Sequence, residues 1–355
     1  MKTSLVACLL VAVPHLAGAD EATQTPVAGS AKPTSKKPTG WFSVGAGYNP
    51  DDGFLAGAAV GQDNLFGTGQ RLVLDATLST IRQEASIAHV LPLGAGLELK
   101  SELFVREKQY PGFRRQAQGG AVTLSHQVTR ATSVFARYQV EHVGIQPAVD
   151  AVARAEVPAM GTLGEGFLQT IGGGIAYDTL DAQMLPRHGT RLELAGERSL
   201  GEAYTMIRAN AKLVHARPVG PFTLRFSGRA SYVRSDDPLG VPLAFRLQHD
   251  GHQDVRGYGL ADGNLIGSNV EALGRAELEL PVWKRAGLSI AGFADAGYTR
   301  NTDHAWGAAD PALRRSVGLS IIWRSPIGPL TFDWAVPLDG ETRDKQFLFS
   351  VGGSF

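Results

Sequence analysis

The sequence predicts an all-β fold, a single transmembrane antiparallel β-barrel of about sixteen strands. Apolar and polar residues alternate with a period of two along most of the chain. After the N-terminal segment, no apolar run approaches the roughly 18 residues that a membrane-spanning helix needs. The alternating segments are about ten residues long and are separated by Gly, Pro, Asp and Asn, which is typical of membrane-spanning strands.

Two short segments precede the predicted barrel. Residues 1–19 combine a lysine at position 2, an apolar run and a small-residue ending, which predicts a cleaved secretory signal peptide. Residues 20–40 are rich in Pro, Thr, Ser, Ala and Lys without periodicity, which is typical of a flexible linker. Residues 41–355 contain no comparable break and are predicted to form one domain, the barrel.

Charge, cysteine content and motifs argue against several classes of function. The 355 residues include 34 Lys and Arg against 34 Asp and Glu, so no net charge indicates nucleic acid as a partner. The single cysteine, Cys8, lies in the predicted signal peptide, which leaves no disulfide or thiol ligand in the mature chain. No HExxH, GxSxG or phosphate-loop motif occurs. We therefore expect no enzyme, no cofactor and no metal site, and interpret His249 and His252 as members of a solvated loop.

The alternation separates apolar from charged side chains most clearly in residues 97–106. One face carries Leu97, Leu99, Leu103 and Val105, and the other carries Glu98, Lys100, Glu102 and Arg106. The pattern recurs in residues 134–140, 222–229 and 330–336. A small soluble barrel fills its interior with apolar side chains, so repeated charge on the second face indicates that the apolar face meets lipid.

The candidate strands are even in number, as bacterial outer-membrane barrels require. They span residues 41–48, 53–62, 70–80, 83–91, 95–107, 118–127, 131–143, 166–178, 189–199, 203–217, 221–235, 271–282, 286–298, 312–324, 328–338 and 344–355. If the first strand runs outward, the long links (residues 144–165, 236–270 and 300–311) fall outside and the short links fall on the periplasmic side, as expected for such a barrel.

Several motifs occur in a characteristic order along the mature chain. They are residues 62–69 (QDNLFGTG), 177–181 (YDTLD), 185–190 (LPRHGT), 255–258 (VRGY), 293–297 (FADAG) and 325–330 (SPIGPL), followed by the terminal Phe355. Together they resemble the BamA/TamA superfamily of outer-membrane assembly factors, which includes the two-partner-secretion translocators and bears the bacterial surface antigen barrel domain.

The resemblance implies that the sixth outer loop runs back into the lumen of the barrel. Arg256, followed by Gly257 and Tyr258, would then pair with Asp295 on the thirteenth strand. Glu277 on the twelfth strand matches the position of a second acidic partner. We refer to this expected arrangement as the lumenal latch.

The alternation supports an inward direction for the acidic residues independently of the resemblance. The apolar neighbours in both strands point outward, so Glu277 and Glu279 point inward on one strand, and Phe293 and Asp295 on the next. Phe293, Asp295 and Gly297 form the motif of strand thirteen. For the two glutamates, a general polarity of the lumen remains an alternative interpretation.

From the resemblance we expect a protein that inserts other proteins into the outer membrane or translocates them across it. Its expected partners are unfolded outer-membrane proteins as clients, and the lipid bilayer that surrounds the barrel. Relatives carry periplasmic polypeptide-binding domains before the barrel, and residues 20–40 are too short to hold one. We therefore expect a variant that lacks these domains and works with a separate periplasmic partner. Two alternatives stay open. One is a structural surface antigen, and the other is a pore for small solutes or lipids, tuned by lumen charges such as Lys100, Arg137, Arg225 and Arg229.

The closing seam between the first and last strands is predicted to be weak. Gly45 and Gly47 lie in the first strand and Gly352 and Gly353 in the last, and glycine weakens a strand because it adds backbone entropy and removes side-chain packing. An open seam exposes backbone groups that can pair with an incoming strand. The terminal Phe355 is interpreted as part of a signal that the barrel-assembly machinery reads.

Overall fold

The computed structural model describes residues 39–49, 51–147, 164–200, 205–260, 266–303, 309–325, 328–339 and 346–351. The first eight strands are β1 Gly40–Asn49, β2 Gly53–Leu65, β3 Gln70–Leu78, β4 Arg82–Gly94, β5 Leu97–Gln109, β6 Phe113–Gln127, β7 Thr132–Pro147 and β8 Gly166–Asp178. The last eight are β9 Gly189–Leu200, β10 Met206–Val219, β11 Phe222–Ser235, β12 Val270–Trp283, β13 Leu288–Asn301, β14 Ala309–Ser325, β15 Gly328–Pro337 and β16 Gln346–Val351.

The sixteen strands form one closed antiparallel barrel. Each strand pairs with its neighbours in sequence, and β1 pairs with β16 to close the sheet. The predicted fold class and strand number are confirmed, and most strand boundaries lie within four residues of the prediction. Among the described residues, no helix is long and apolar enough to cross a membrane.

The lengths of the links distinguish the two ends of the barrel. The links at residues 148–165 and 236–269 lie at the end predicted to face outward. Two-residue links at 95–96 and 220–221 lie at the other end. The link at residues 179–188, also at that end, is longer, and its bounds are those that the predicted strands 166–178 and 189–199 imply.

The two faces of the sheet differ in polarity as the alternation predicts. Leu103 is 64% exposed on the outer surface, whereas its neighbours Glu102 and Phe104 are buried inside the barrel. On the opposite side of the barrel, Ile290 and Leu319 are exposed, and Asp295 is buried. A barrel with an apolar outer face and charged groups inside is suited to a lipid environment.

The described part of the sixth loop, residues 236–260 and 266–269, lies within the mouth of the lumen. Its first half belongs to a buried apolar cluster against the wall formed by β6, β7, β8, β10 and β11. The cluster consists of Phe113, Ala117, Val143, Ile145, Leu168, Met206, Val233, Val241, Leu243, Ala244 and Phe245. Burial of each large apolar side chain stabilises this position of the loop by about 1.5–3 kcal/mol.

Candidate functional site

The second half of the sixth loop crosses to the opposite wall of the lumen, where β12 to β15 present acidic residues. A short 3-10 helix, Gly251–Gln253, precedes Arg256 and turns the chain toward β13. Val255 and Arg256 are both buried there. The loop therefore has an apolar anchor on one wall and a charged anchor on the other.

Arg256 and Asp295 form a bidentate ion pair, so the structure brings together the two residues that the resemblance paired. Nε of Arg256 donates to Oδ2 of Asp295 at 2.8 Å, and Nη2 donates to Oδ1 at 2.9 Å. The backbone N–H of Arg256 also donates to Oδ2, at 3.2 Å. The two residues are 7% and 3% exposed. Burial by itself would lower the pKa of Arg256, but the hydrogen bonds and charge of Asp295 outweigh it and raise the pKa, so the guanidinium stays charged.

The other two residues of the strand-thirteen motif shape the space around Arg256. The guanidinium carbon of Arg256 lies 3.4 Å from the ring centre of Phe293, in a cation-π contact. A Cβ on Gly297 would come 2.6 Å from Cγ2 of Val255, so glycine is required for the loop to approach this closely. Gly318 on β14 makes the equivalent room for the ring of Phe293. The motif thus supplies the charge, the stacking surface and the space that Arg256 needs.

Glu277 lies near Arg256, but its main partner is another arginine. Oε2 of Glu277 is 3.6 Å from Nη1 of Arg256, too far for a direct hydrogen bond. Its Oε1 accepts hydrogen bonds from both Nε and Nη2 of Arg225. Asp333 on β15 also lies 3.6 Å from Nη1 of Arg256. Glu277 is therefore one of two peripheral carboxylates around Arg256.

Gly257 and Tyr258 attach the loop to the far side of the barrel. Gly257 has φ +95°, and a Cβ there would lie 3.2 Å from Cδ of Pro337 at the end of β15. The hydroxyl of Tyr258 lies 2.9 Å from the carbonyl oxygens of both Arg315 and Asp339. These contacts hold the loop against the link between β15 and β16.

The interpretation of His249 and His252 as solvated loop residues is wrong. Both are buried inside the lumen, at 7% and 5% exposure. Nδ1 of His249 lies 3.2 Å from Oδ2 of Asp254, which also accepts the backbone N–H of Asp250 at 2.6 Å. Alternation along the strands does not extend into this loop, so the burial follows only from the entry of the loop into the barrel.

Arg225 and Arg229 do point into the lumen, but acidic partners engage both of them. Arg225 is paired with Glu277 and with Glu279, whose Oε2 is 2.6 Å from Nη2. Nη2 of Arg229 donates to Asp254 at 2.7 Å and to Glu271 at 2.9 Å. The alternation identified these arginines as inward-facing, but not their partners.

Lys100 and Arg137 line a cavity of about 270 Å³ between the strands β3 to β10, and both also lie near Glu102, at 3.0 and 3.7 Å. Acidic side chains contribute to the same lining, among them Glu193 and Glu197. Among the residues that the structure describes, no group of three or more His, Asp or Glu side chains is arranged to hold a metal ion.

The described part of the seam joins β1 to β16 through Ala46↔Val351, Gly47↔Ser350 and Tyr48↔Phe349. On its other edge, β1 pairs with β2 along its whole length, from Gly40↔Gln62 to Asn49↔Gly53. Gly45 and Gly47 thus lie in β1 as predicted. Gly352, Gly353 and Phe355 lie outside the described residues, so their predicted roles stay predictions.

A closed sixteen-strand barrel with an apolar outer face and a long loop folded into its lumen defines a transmembrane barrel of the outer-membrane type. The chain belongs to the Omp85 superfamily, whose domain matches residues 64–355. It is 25% identical to the outer membrane protein assembly factor BamA of Nitratidesulfovibrio vulgaris over 337 residues, which cover 89% of this chain and 42% of that protein. BamA of Neisseria meningitidis is also 25% identical, with 90% of this chain and 48% of the relative covered. The chain thus spans less than half the length of these curated relatives.

Solved structures show the same fold. The crystal structure of BamA from Haemophilus ducreyi lacking POTRA domains 1–3 superposes with a TM-score of 0.72 at 20% identity, covering 90% of this chain and 71% of that chain. CdiB from Acinetobacter baumannii superposes with a TM-score of 0.59 at 14% identity, covering 87% of this chain and 58% of that chain.

Proposed function

We propose that this protein inserts other proteins into the outer membrane, or translocates them across it, and that clients enter at the seam between β1 and β16. The supporting observation is the position of the sixth loop. Its apolar half is anchored on one wall and Arg256 on the other, so the loop obstructs the straight path through the lumen. We therefore propose that a polypeptide crosses or enters the membrane through a lateral opening between β1 and β16.

The relatives support the same proposal at family level, because the curated ones are named as outer membrane protein assembly factors. We place this protein in the outer membrane with them, exported through the predicted signal peptide at residues 1–19. Unfolded outer-membrane proteins are the proposed clients, and a separate periplasmic protein is the proposed source of client capture. In this proposal the lumenal latch of Arg256 and Asp295 keeps the loop in the position that a working barrel needs.

The proposal is tested by the folding rate of an unfolded small outer-membrane barrel into liposomes, with and without this protein. We expect faster folding with the wild type and loss of most of the acceleration with Arg256→Ala. A matched control is Arg234→Ala, because Arg234 is exposed and pairs with Asp236 two residues away. A correctly folded preparation that gives no acceleration, alone or with a periplasmic partner, contradicts the proposal.

The cavity lined by Lys100 and Arg137 supports the second candidate function, a pore for small solutes or lipids. The two functions differ in conductance across a planar bilayer. An insertase closed by its sixth loop gives small, intermittent currents, whereas a pore gives a large steady current whose ion selectivity changes in Lys100→Glu. A steady large conductance in the wild type would favour the pore.

A further inference from the structure

We propose that the tip of the sixth loop, residues 251–260, braces the barrel seam by holding the hairpins on both of its sides, and that on the β1 side Asp51 holds both ends of this tip. This inference rests on the proposed function, because it assigns a control element to the seam through which clients would enter. We call residues 251–260 the loop head.

The β1 side of the brace is the link between β1 and β2. Oδ1 of Asp51 accepts the backbone N–H of Leu260 at 2.9 Å, and Oδ2 accepts the backbone N–H of His252 at 3.4 Å. The ring nitrogen Nε2 of His252 lies 3.6 Å from the same Oδ2. A single carboxylate therefore contacts both ends of the loop head.

Gly251 makes this contact possible. It has φ +57°, and a Cβ at this position would lie 2.1 Å from Oδ2 of Asp51. The carboxylate thus lies against the backbone of the loop head, where a side chain would displace it.

Asp52 fixes the same link to the barrel wall. Its Oδ1 accepts a hydrogen bond from the hydroxyl of Ser79 at 3.0 Å, between β3 and β4, and its Oδ2 accepts one from Nε2 of Gln253 at 3.3 Å. Asp52 therefore ties the first link both to the neighbouring hairpin and to Gln253 of the loop head. Asp51 contacts the loop head at both of its ends.

The β16 side of the brace is the link between β15 and β16. The hydroxyl of Tyr258 lies 2.9 Å from the carbonyl oxygen of Asp339 and accepts the backbone N–H of Asp339 at 3.0 Å. Asp339 follows the last residue of β15, Pro337, by two positions. The loop head is therefore attached to links on both sides of the β1–β16 pairing.

The consequence is mechanical. The described seam pairing reaches Tyr48↔Phe349, three residues before Asp51. Parting β1 from β16 at this end moves the two links away from each other. The loop head cannot follow both links, because Arg256 holds it to β13 on the β16 side. Opening the seam therefore requires that the contacts of Asp51 break, together with those that Asp52 and Arg82 on the same side make with Gln253.

The experiment compares hydrogen exchange of the full chain in lipid vesicles for the wild type, Asp51→Ala and Asp51→Asn. We expect amides of β1 to exchange roughly tenfold faster in Asp51→Ala, a change that corresponds to about 1.4 kcal/mol, because the charge-assisted hydrogen bonds to the loop head are lost. Asp51→Asn keeps the shape and one acceptor oxygen, so it should show a smaller effect. Exchange in β13 should not change.

Asp237→Ala is the matched control, because this aspartate lies in the same loop but accepts the N–H of Leu239 in its own turn, at 2.8 Å. The amides of β1 should exchange at the same rate in Asp237→Ala as in the wild type. A disulfide between Gly47→Cys and Ser350→Cys, at a paired position of the seam, should remove the effect of Asp51→Ala. The brace is refuted if Asp51→Ala loosens residues 251–260 and leaves β1 unchanged, or if β1 and β13 accelerate equally.

The client-folding assay separates the brace from the proposed function. If the brace is right, Asp51→Ala should accelerate client folding by a few-fold over the wild type, because the seam opens more often. Faster β1 exchange in a protein that never accelerates client folding supports the brace and contradicts the insertase function. Equal client acceleration and equal β1 exchange in wild type and Asp51→Ala support the function and refute the brace.

Discussion

Breaking the buried pair between Arg256 and Asp295 should destabilise the barrel strongly and unequally from its two sides. Loss of one partner of a buried ion pair costs about 3–5 kcal/mol, because the other charge is left uncompensated. We expect Asp295→Ala to fall near the lower value, about 3 kcal/mol. Glu277 and Asp333, each 3.6 Å from Nη1 of Arg256, still offset part of the remaining positive charge.

Arg256→Ala should cost more, about 4–5 kcal/mol. It leaves Asp295 buried, with Nε of Arg275 at 3.7 Å as a remaining positive neighbour. It also removes the cation-π contact with Phe293, a contact worth about 0.5–2 kcal/mol.

A double-mutant cycle measures how far the two residues act as a unit. The double variant should lose about 2–3 kcal/mol less than the sum of the single variants, because it removes both charges and leaves neither of them buried without its partner. The measurement is urea unfolding of the barrel in lipid vesicles, followed by tryptophan fluorescence. The reasoning is refuted if the two free-energy changes simply add.

The control cycle uses Arg234 and Asp236, an ion pair at 2.9 Å in which the side chains are 64% and 65% exposed. Water and salt screen such a pair, so its coupling should stay below about 1 kcal/mol. A coupling as large as that of Arg256 with Asp295 would show that burial does not explain the difference.

Three further changes test the surroundings of the latch. Phe293→Leu keeps an apolar side chain but removes the stacking surface, so the barrel should lose about 1–2 kcal/mol in urea unfolding while folding normally. Gly297→Ala should expose the sixth loop to limited proteolysis, because its methyl group meets Val255 at 2.6 Å and overpacking costs about 1–3 kcal/mol. Burial raises the pKa of Asp254, but the contact with Nδ1 of His249 at 3.2 Å and the positive charge of Arg229 outweigh it, so the pKa lies below its ordinary value of 3.8. A carboxyl group whose pKa is lowered by folding stabilises the fold at pH values above its ordinary pKa. This stabilisation is lost as the pH falls through the lowered pKa of the folded state. The difference in thermal stability between the wild type and Asp254→Asn should therefore be constant above about pH 5 and shrink below the ordinary pKa, and a difference that grows on acidification would contradict this.

The fold was predictable from the sequence, because it depends on local order along the chain. Side chains alternate across a strand whatever lies opposite, so residues 97–106 reveal their inner and outer faces by themselves. Antiparallel neighbours in sequence pair with each other, so the strand list also predicts the topology. The pairing of Arg256 with Asp295 was implied by the family resemblance that the motifs carry, and alternation supported only the inward direction of Asp295.

The partners across the lumen were decided by the tertiary structure. Alternation places Arg225, Glu277 and Asp333 inside, but it does not say which groups they meet. Arg225 meets Glu277 through the register of β11 with β12, and Asp333 comes near Arg256 only because the sixth loop enters the lumen. His249 is buried because an apolar segment ahead of it is held on the far wall. Asp51 contacts Leu260 across 209 residues of sequence. Periodicity along a strand determines the direction of a side chain, whereas the approach of distant segments determines its partner.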